Sequence, residues 1–120
     1  MADAELNLVV IRSADLALAA NFYEAIGVHL SRERHGSGPE HLTAKVGTAV
    51  LEVYPLGGSG NTLGVRLGFQ VASVSAVIVA IQAAGGSVVT APKDSPWGFR
   101  AVVVDPDGHR IELVDKSACA

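Results

Sequence analysis

"DPDGHRIELV", residues 105–114, is the stretch from which the rest of the chain can be read. Asp105-Pro106-Asp107-Gly108 has the composition of a tight turn. Aspartate suits its first position, proline presets the second, and glycine takes the left-handed position that ends it. An apolar run, residues 101–104, precedes the turn and an alternating run follows, so the stretch predicts a hairpin. Within its second strand Glu112 stands between Ile111 and Leu113. A carboxylate there is either solvated or faces a partner that needs it.

Moving outward, the same pattern occurs twice. Residues 6–12 predict a strand, Ser13-Ala14-Asp15 a helix cap, and Leu16, Ala19, Ala20, Tyr23 and Ile26 a helical stripe that Gly27 ends. Strands are predicted over 28–35, 41–46 and 48–54, with "HGSGPEH" as a loop and a turn at Gly47. The second round has a strand over 64–71, a stripe of Val74, Val77, Ile78 and Ile81 closed by Gly85-Gly86, and a short strand over 87–91. "PKDSPWG" then reads as a loop before the hairpin of 99–104 and 109–114. Setting Gly27 against Gly85 aligns the halves at an offset of about 58 to 60 residues. A repeat of this kind decides the architecture. The expectation is an α+β fold in one domain over residues 1–120. Two tandem βαβββ modules, about 5–56 and 63–115, would form a partly open, cleft-lining barrel of mixed sheet.

The offset pairs Glu52 with Glu112 and Leu8 with Arg66. Because alternate strand residues share a face, Glu52 and Tyr54 point away from the helices. Arg66, Gln70 and Glu112 do the same, and Gly64 and Gly68 leave room beside them. If the modules curl around a cleft, these residues line its floor, and a buried carboxylate there would pair with arginine. Trp97 and Arg100 lie in "PWGFR", where a tryptophan could stack on a flat ligand. His35 and His41 flank "GSGPE" and could supply a base or a relocated metal site, with His41 opening a strand. His109 shares the apolar face of Ile111 and reads as structural, and His29 has no evident partner in its strand.

The duplicated layout, "DLALAANFYEAIGV", "AVLEVYP" and "DPDGHRIELVD" together resemble the vicinal oxygen chelate superfamily, over almost the whole chain. That group includes glyoxalase I, extradiol dioxygenases and bleomycin resistance proteins. The resemblance implies four metal-ligand positions, which fall on Leu8, Glu52, Arg66 and Glu112. Only the two glutamates match. Leucine cannot coordinate, and arginine stays protonated. The resemblance therefore implies a small-molecule cleft without a favoured metal. Glu52 and Glu112 are its candidate catalytic carboxylates, and Arg66, Tyr54, Trp97, His41, Gln70 and Arg100 its ligand-binding groups. The alternative is a metal-dependent lyase or isomerase of glyoxalase type, with Ni²⁺, Zn²⁺, Mn²⁺ or Mg²⁺ held by Glu52 and Glu112. Small members of this kind commonly form homodimers, each cleft built from modules of two chains. The second helix, apolar nearly all round from Val74 to Ile81, fits that expectation.

Composition bounds the rest. A net charge of −3 without a basic run gives no footprint for nucleic acid. Neither a signal peptide nor a membrane-spanning run is read. The single cysteine, Cys119, cannot form an internal disulfide, which points to a reducing cytoplasm.

Overall fold

Both helices start and stop by the same devices. In the computed structural model, which describes residues 3–116, the Asp15 carboxylate accepts from Leu18 N–H (3.1 Å) to open α1 (Leu16–Ile26). Ser73 accepts from Ala76 N–H (3.2 Å) to open α2 (Val74–Ala83). At the end of α1, Gly27 at φ 107° turns the chain, and Val28 N–H reaches back to Tyr23 O (2.9 Å). At the end of α2, Gly85 at φ 88° does the same, and Gly86 N–H reaches Ile81 O (2.8 Å). Only a residue free of a Cβ enters this left-handed region without strain, so glycine ends each helix.

Among the described residues eight strands accompany the helices, in an α+β fold of two four-stranded mixed sheets. β1 (Leu8–Ser13), β2 (Ser31–Glu33), β3 (His41–Val46) and β4 (Ala49–Pro55) form the first sheet, in the order β1-β4-β3-β2. β5 (Arg66–Val71), β6 (Ser87–Ser95), β7 (Gly98–Val104) and β8 (Arg110–Asp115) form the second, in the order β5-β8-β7-β6. Each sheet has one parallel pair, and the registers repeat. Leu8 and Val10 oppose Val50 and Glu52 in β1–β4, while Arg66 and Gly68 oppose Arg110 and Glu112 in β5–β8. The sheets do not close into a barrel, in keeping with the partly open arrangement expected.

The face assignments hold. Ile11, Leu51, Val53, Ile111 and Leu113 are buried against the helices, whereas Leu8, Arg66, Gly68 and Gln70 are exposed on the opposite face. One core serves both sheets. Phe22 and Tyr23 meet edge to face, and Tyr23 lies 6.3 Å from the Phe69 ring. Phe22 also packs on Gly86 so closely that an added Cβ would stand 2.6 Å from its ring.

Three sequence expectations are corrected. The strand over 28–35 shrinks to Ser31–Glu33, because Val28 completes the cap of α1. His29 consequently lies outside the strand and pairs with Glu24 (2.6 Å). The strand over 87–91 instead runs to Ser95, straight through Pro92. β6 is an edge strand with register shifts between Val88 and Lys93, and a proline is tolerated where no ladder bond is lost. "PKDSPWG" is therefore mostly strand, leaving Pro96-Trp97 as the tip of a hairpin. The "PKDSPWG" loop is thus the third of these, whereas α2, apolar nearly all round, is not covered on every side by the described residues. Val74 and Ile81 are buried, but Val79 is 70% exposed. Cys119 lies outside the described residues.

Candidate functional site

The turn between β7 and β8 fastens the sheets together. Asp105 Oδ1 accepts from the backbone N–H groups of Asp107, Gly108 and His109 (3.0, 2.9 and 2.9 Å). Asp105 Oδ2 accepts from the Tyr23 hydroxyl (2.8 Å) and His109 Nδ1 (2.9 Å). His109 Nε2 then accepts from the Thr62 hydroxyl (2.7 Å), whose oxygen accepts from Arg12 N–H (3.0 Å). Asp107 accepts from Ala14 N–H (2.8 Å). Burial raises the Asp105 pKa, but the His109 and Tyr23 hydrogen bonds outweigh it and hold the carboxyl below its usual value. Burial, with the Asp105 charge, pushes the Tyr23 hydroxyl well up. His109 is structural, as its sequence position indicates. Asp105, Asp107 and His109 stand close enough to hold a cation, but these internal donors already occupy both Asp105 oxygens.

The predicted site residues fall into two groups, one on each sheet. In the second sheet, Glu112 is gripped by two guanidinium groups. Arg66 Nη2 lies 2.9 Å from Glu112 Oε2, and Arg100 reaches Oε1 through Nη2 (2.8 Å) and Nε (3.1 Å). The Arg100 hydrogen bond, helped by Arg66, holds the Glu112 carboxyl below the usual range against the effect of desolvation. Opposite Glu112, Gly68 leaves open space where an added Cβ would meet nothing within 4 Å. Gly68, Gln70, Trp97 and Glu112 line a pocket of about 300 Å³, which adjoins one of about 430 Å³ bordered by Trp97, Arg100 and Glu112. Trp97 is 74% exposed at its hairpin tip, with the Arg100 guanidinium 6.0 Å from its ring. The tip is held by Ser95, whose hydroxyl donates to Gly98 O (2.6 Å) and accepts from Trp97 N–H (3.2 Å).

In the first sheet, Tyr54 stacks on His41, ring centroids 4.1 Å apart and planes 7° from parallel. The Arg12 guanidinium lies 5.7 Å from the Tyr54 ring. Glu52 Oε2 is 3.9 Å from His41 Nε2. Two further groups join them. Glu33 Oε1 lies 3.0 Å from His41 Nε2 and 2.8 Å from His35 Nε2. The His41 hydrogen bond and then His35 hold the Glu33 carboxyl below its usual range. Glu33 was not singled out from the sequence. The available signal was the Glu33-x-His35 spacing with His41 across the hairpin, since Glu33 and His41 are register partners.

Arg66 thus pairs with Glu112, one of its two expected partners, while Glu52 looks to His41 instead. The four superfamily ligand positions do not fit a metal here. Leu8 offers no donor and Arg66 brings its own positive charge, neutralised by Glu112.

A family model described as the Glyoxalase/Bleomycin resistance protein/Dioxygenase superfamily matches residues 5–113, and the chain belongs to that superfamily. Among particular relatives, it is 33% identical to a probable lactoylglutathione lyase of Vibrio parahaemolyticus, covering 100% of this chain and 97% of that one. It is 32% identical over 117 residues to an uncharacterized protein of Mycolicibacterium smegmatis, covering 92% and 93%. Its fold matches TnmS3, an antibiotic binding protein from Streptomyces sp. CB03234, with a TM-score of 0.76 at 28% identity, covering 98% and 99% of the two chains.

Proposed function

We propose that the chain is a small-molecule-binding protein whose cleft works without a metal at the superfamily positions. The observation that carries this reading is the Arg66–Glu112–Arg100 cluster. Two guanidinium groups on one carboxylate leave donors free for an anionic or carbonyl group of a ligand, since each arginine carries five. Trp97 and Tyr54 offer flat apolar faces, and Gln70 a further polar contact. The likeness to an antibiotic binding protein supports a small-molecule ligand.

Residues 1–120 act as one domain in this reading, its modules spanning about 5–56 and 63–115, in a cytoplasmic protein. Two chains pair, so that Glu52 of one chain meets Glu112 of its partner across a shared cleft. The exposed Val79 on α2, and Leu8 and Val10 on the open face of β1, support such pairing. No helix among the described residues is long and apolar enough to cross a membrane.

A thermal-shift and calorimetric screen with planar antibiotics, aldehydes and glutathione adducts tests the reading. A ligand that binds wild type should lose about ten- to hundredfold in affinity on Arg66→Ala, the loss of one charge-assisted contact. Unchanged affinity would overturn the assignment.

The Vibrio parahaemolyticus relative favours a second reading, a metal-dependent lyase or isomerase acting on a small carbonyl or thiol adduct, with Glu52 or Glu112 as catalytic carboxylate. Turnover of a glutathione hemithioacetal that requires added Ni²⁺, Zn²⁺, Mn²⁺ or Mg²⁺ would select it over the first.

A further inference from the structure

The first sheet contains a convergence that the reading above does not use. His41 is 1% exposed, and its Nδ1 faces Pro39 O at 3.1 Å. A carbonyl oxygen can only accept, so Nδ1 carries the ring proton. Nε2 then faces Glu33 Oε1 at 3.0 Å and, further off, Glu52 Oε2 at 3.9 Å. His35 Nε2 converges on the same Glu33 oxygen at 2.8 Å. Two imidazole nitrogens and two carboxylates thus turn toward one half-buried spot. A metal ion would satisfy all the donors together.

We propose that Glu33, His35 and His41 bind one divalent transition-metal ion, with Glu52 in reach as a fourth donor. One donor atom from each of Glu33, His35 and His41 lies within 4.8 Å of the others. A tetrahedral ion with ligand bonds of about 2.0–2.1 Å needs donors about 3.3 Å apart. The present 2.8 and 3.0 Å separations therefore open by only a few tenths of an ångström. Two imidazoles beside carboxylates select zinc, nickel or cobalt over magnesium or calcium, which prefer oxygen alone. The Nδ1 contact to a backbone carbonyl is the orienting bond that metal-bound histidines commonly carry. The local chain is built to close on such a site. Gly36, at φ 57°, and Gly38 turn the seven-residue "HGSGPEH" back on itself, setting Glu33 opposite His41. His35, 70% exposed, gives the ion a way in. Of the four superfamily positions only Glu52 contributes, so this site lies within one module and does not depend on Arg66.

The test is a titration of the full chain, stripped with chelator, with Zn²⁺ by calorimetry, and with Co²⁺ by visible absorption. One ion per chain is expected, with the intense Co²⁺ bands of a four-coordinate site. His35→Ala and Glu33→Gln should each weaken Zn²⁺ binding at least about tenfold. Arg66→Ala should leave it unchanged, which separates this site from the ligand cluster of the second sheet. His41→Ala removes a buried ring and is expected to harm folding, so the exposed His35 carries the decision, with circular dichroism confirming a folded variant. Failure to bind Zn²⁺ stoichiometrically, or equal affinity in His35→Ala and wild type, overturns the proposal.

Discussion

Glu52 and Glu112 stand at the same place in two sheets of the same register. Glu52 is flanked across the strands by Val10 and Thr43, and Glu112 by Gly68 and Val102. Their chemistry nevertheless differs. The first carboxylate lies beside a buried histidine stacked on Tyr54. The second is clamped between Arg66 and Arg100. The repeated backbone decides where a carboxylate stands, and the neighbouring side chains decide what it can do there. Their turns differ as well. β3 and β4 are joined through Gly47-Thr48 alone, whereas the Asp105–His109 turn reaches into the other half of the chain.

The largest expected effect lies in that difference between turns. Asp105→Ala should cost about 3–5 kcal/mol, because it strands the buried Tyr23 hydroxyl and His109 ring along with backbone donors. Thr48→Ala in the exposed turn should stay within about 0.5 kcal/mol. Urea denaturation followed by circular dichroism measures both, and equal losses would break the comparison.

The same turn should govern the response to pH. The Asp105 carboxyl is lowered in the folded chain, so its stabilisation is present above the unfolded value of about 3.9 and is lost as pH falls through the folded value. The Tyr23 hydroxyl is raised, so its contribution is full below about pH 10 and declines as pH rises beyond it. Stability curves of Asp105→Asn and Tyr23→Phe should lack the acid and the alkaline component respectively. A variant that keeps its component would locate the titration elsewhere.

A smaller loss is expected where the halves touch. Gly86→Ala drives a methyl into the Phe22 ring and should cost about 1–3 kcal/mol by the same denaturation measurement. A neutral result would mean that the packing between the two halves is loose.

A small stability effect sharpens the contrast between the carboxylates. Glu112→Gln should change stability by less than about 1 kcal/mol, since the ion pairs are partly solvated. It should also raise affinity for a carboxylate-bearing ligand, because both guanidinium groups lose their internal anion. Glu52→Gln should leave that affinity unchanged. Calorimetry on the two variants with one ligand decides the matter, and parallel behaviour would erase the distinction between the sheets.

How much of this could be read from the chain follows from the range of each interaction. Helix caps and strand faces are local, and "DPDG", Gly27 and alternating residues such as Leu51 and Val53 declare them. The duplication carried the fold further than any single motif, since each half corroborates the other. Pro92 misled because a proline reads as a strand breaker until the strand is known to be an edge. Glu33 stayed hidden because its grouping with His41 depends on the register of a three-residue strand, which periodicity cannot resolve. The bond between Tyr23 and Asp105 spans 82 residues, and no local pattern announces it.

The shape of β6 has one more consequence. A free strand edge is a template on which another chain can add, and long, regular edges invite stacking into aggregates. The outer edge of the second sheet is irregular, with its register shifts, Pro92 and the charged pair Lys93-Asp94. The outer edge of the first sheet, β2, is only three residues long. Among the described residues, β1 and β5, six residues each and regularly paired, are therefore the edges suited to growth. A chain rich in apolar residues is thus guarded against uncontrolled sheet extension at β2 and β6, and orderly joining of sheets is directed to β1 and β5.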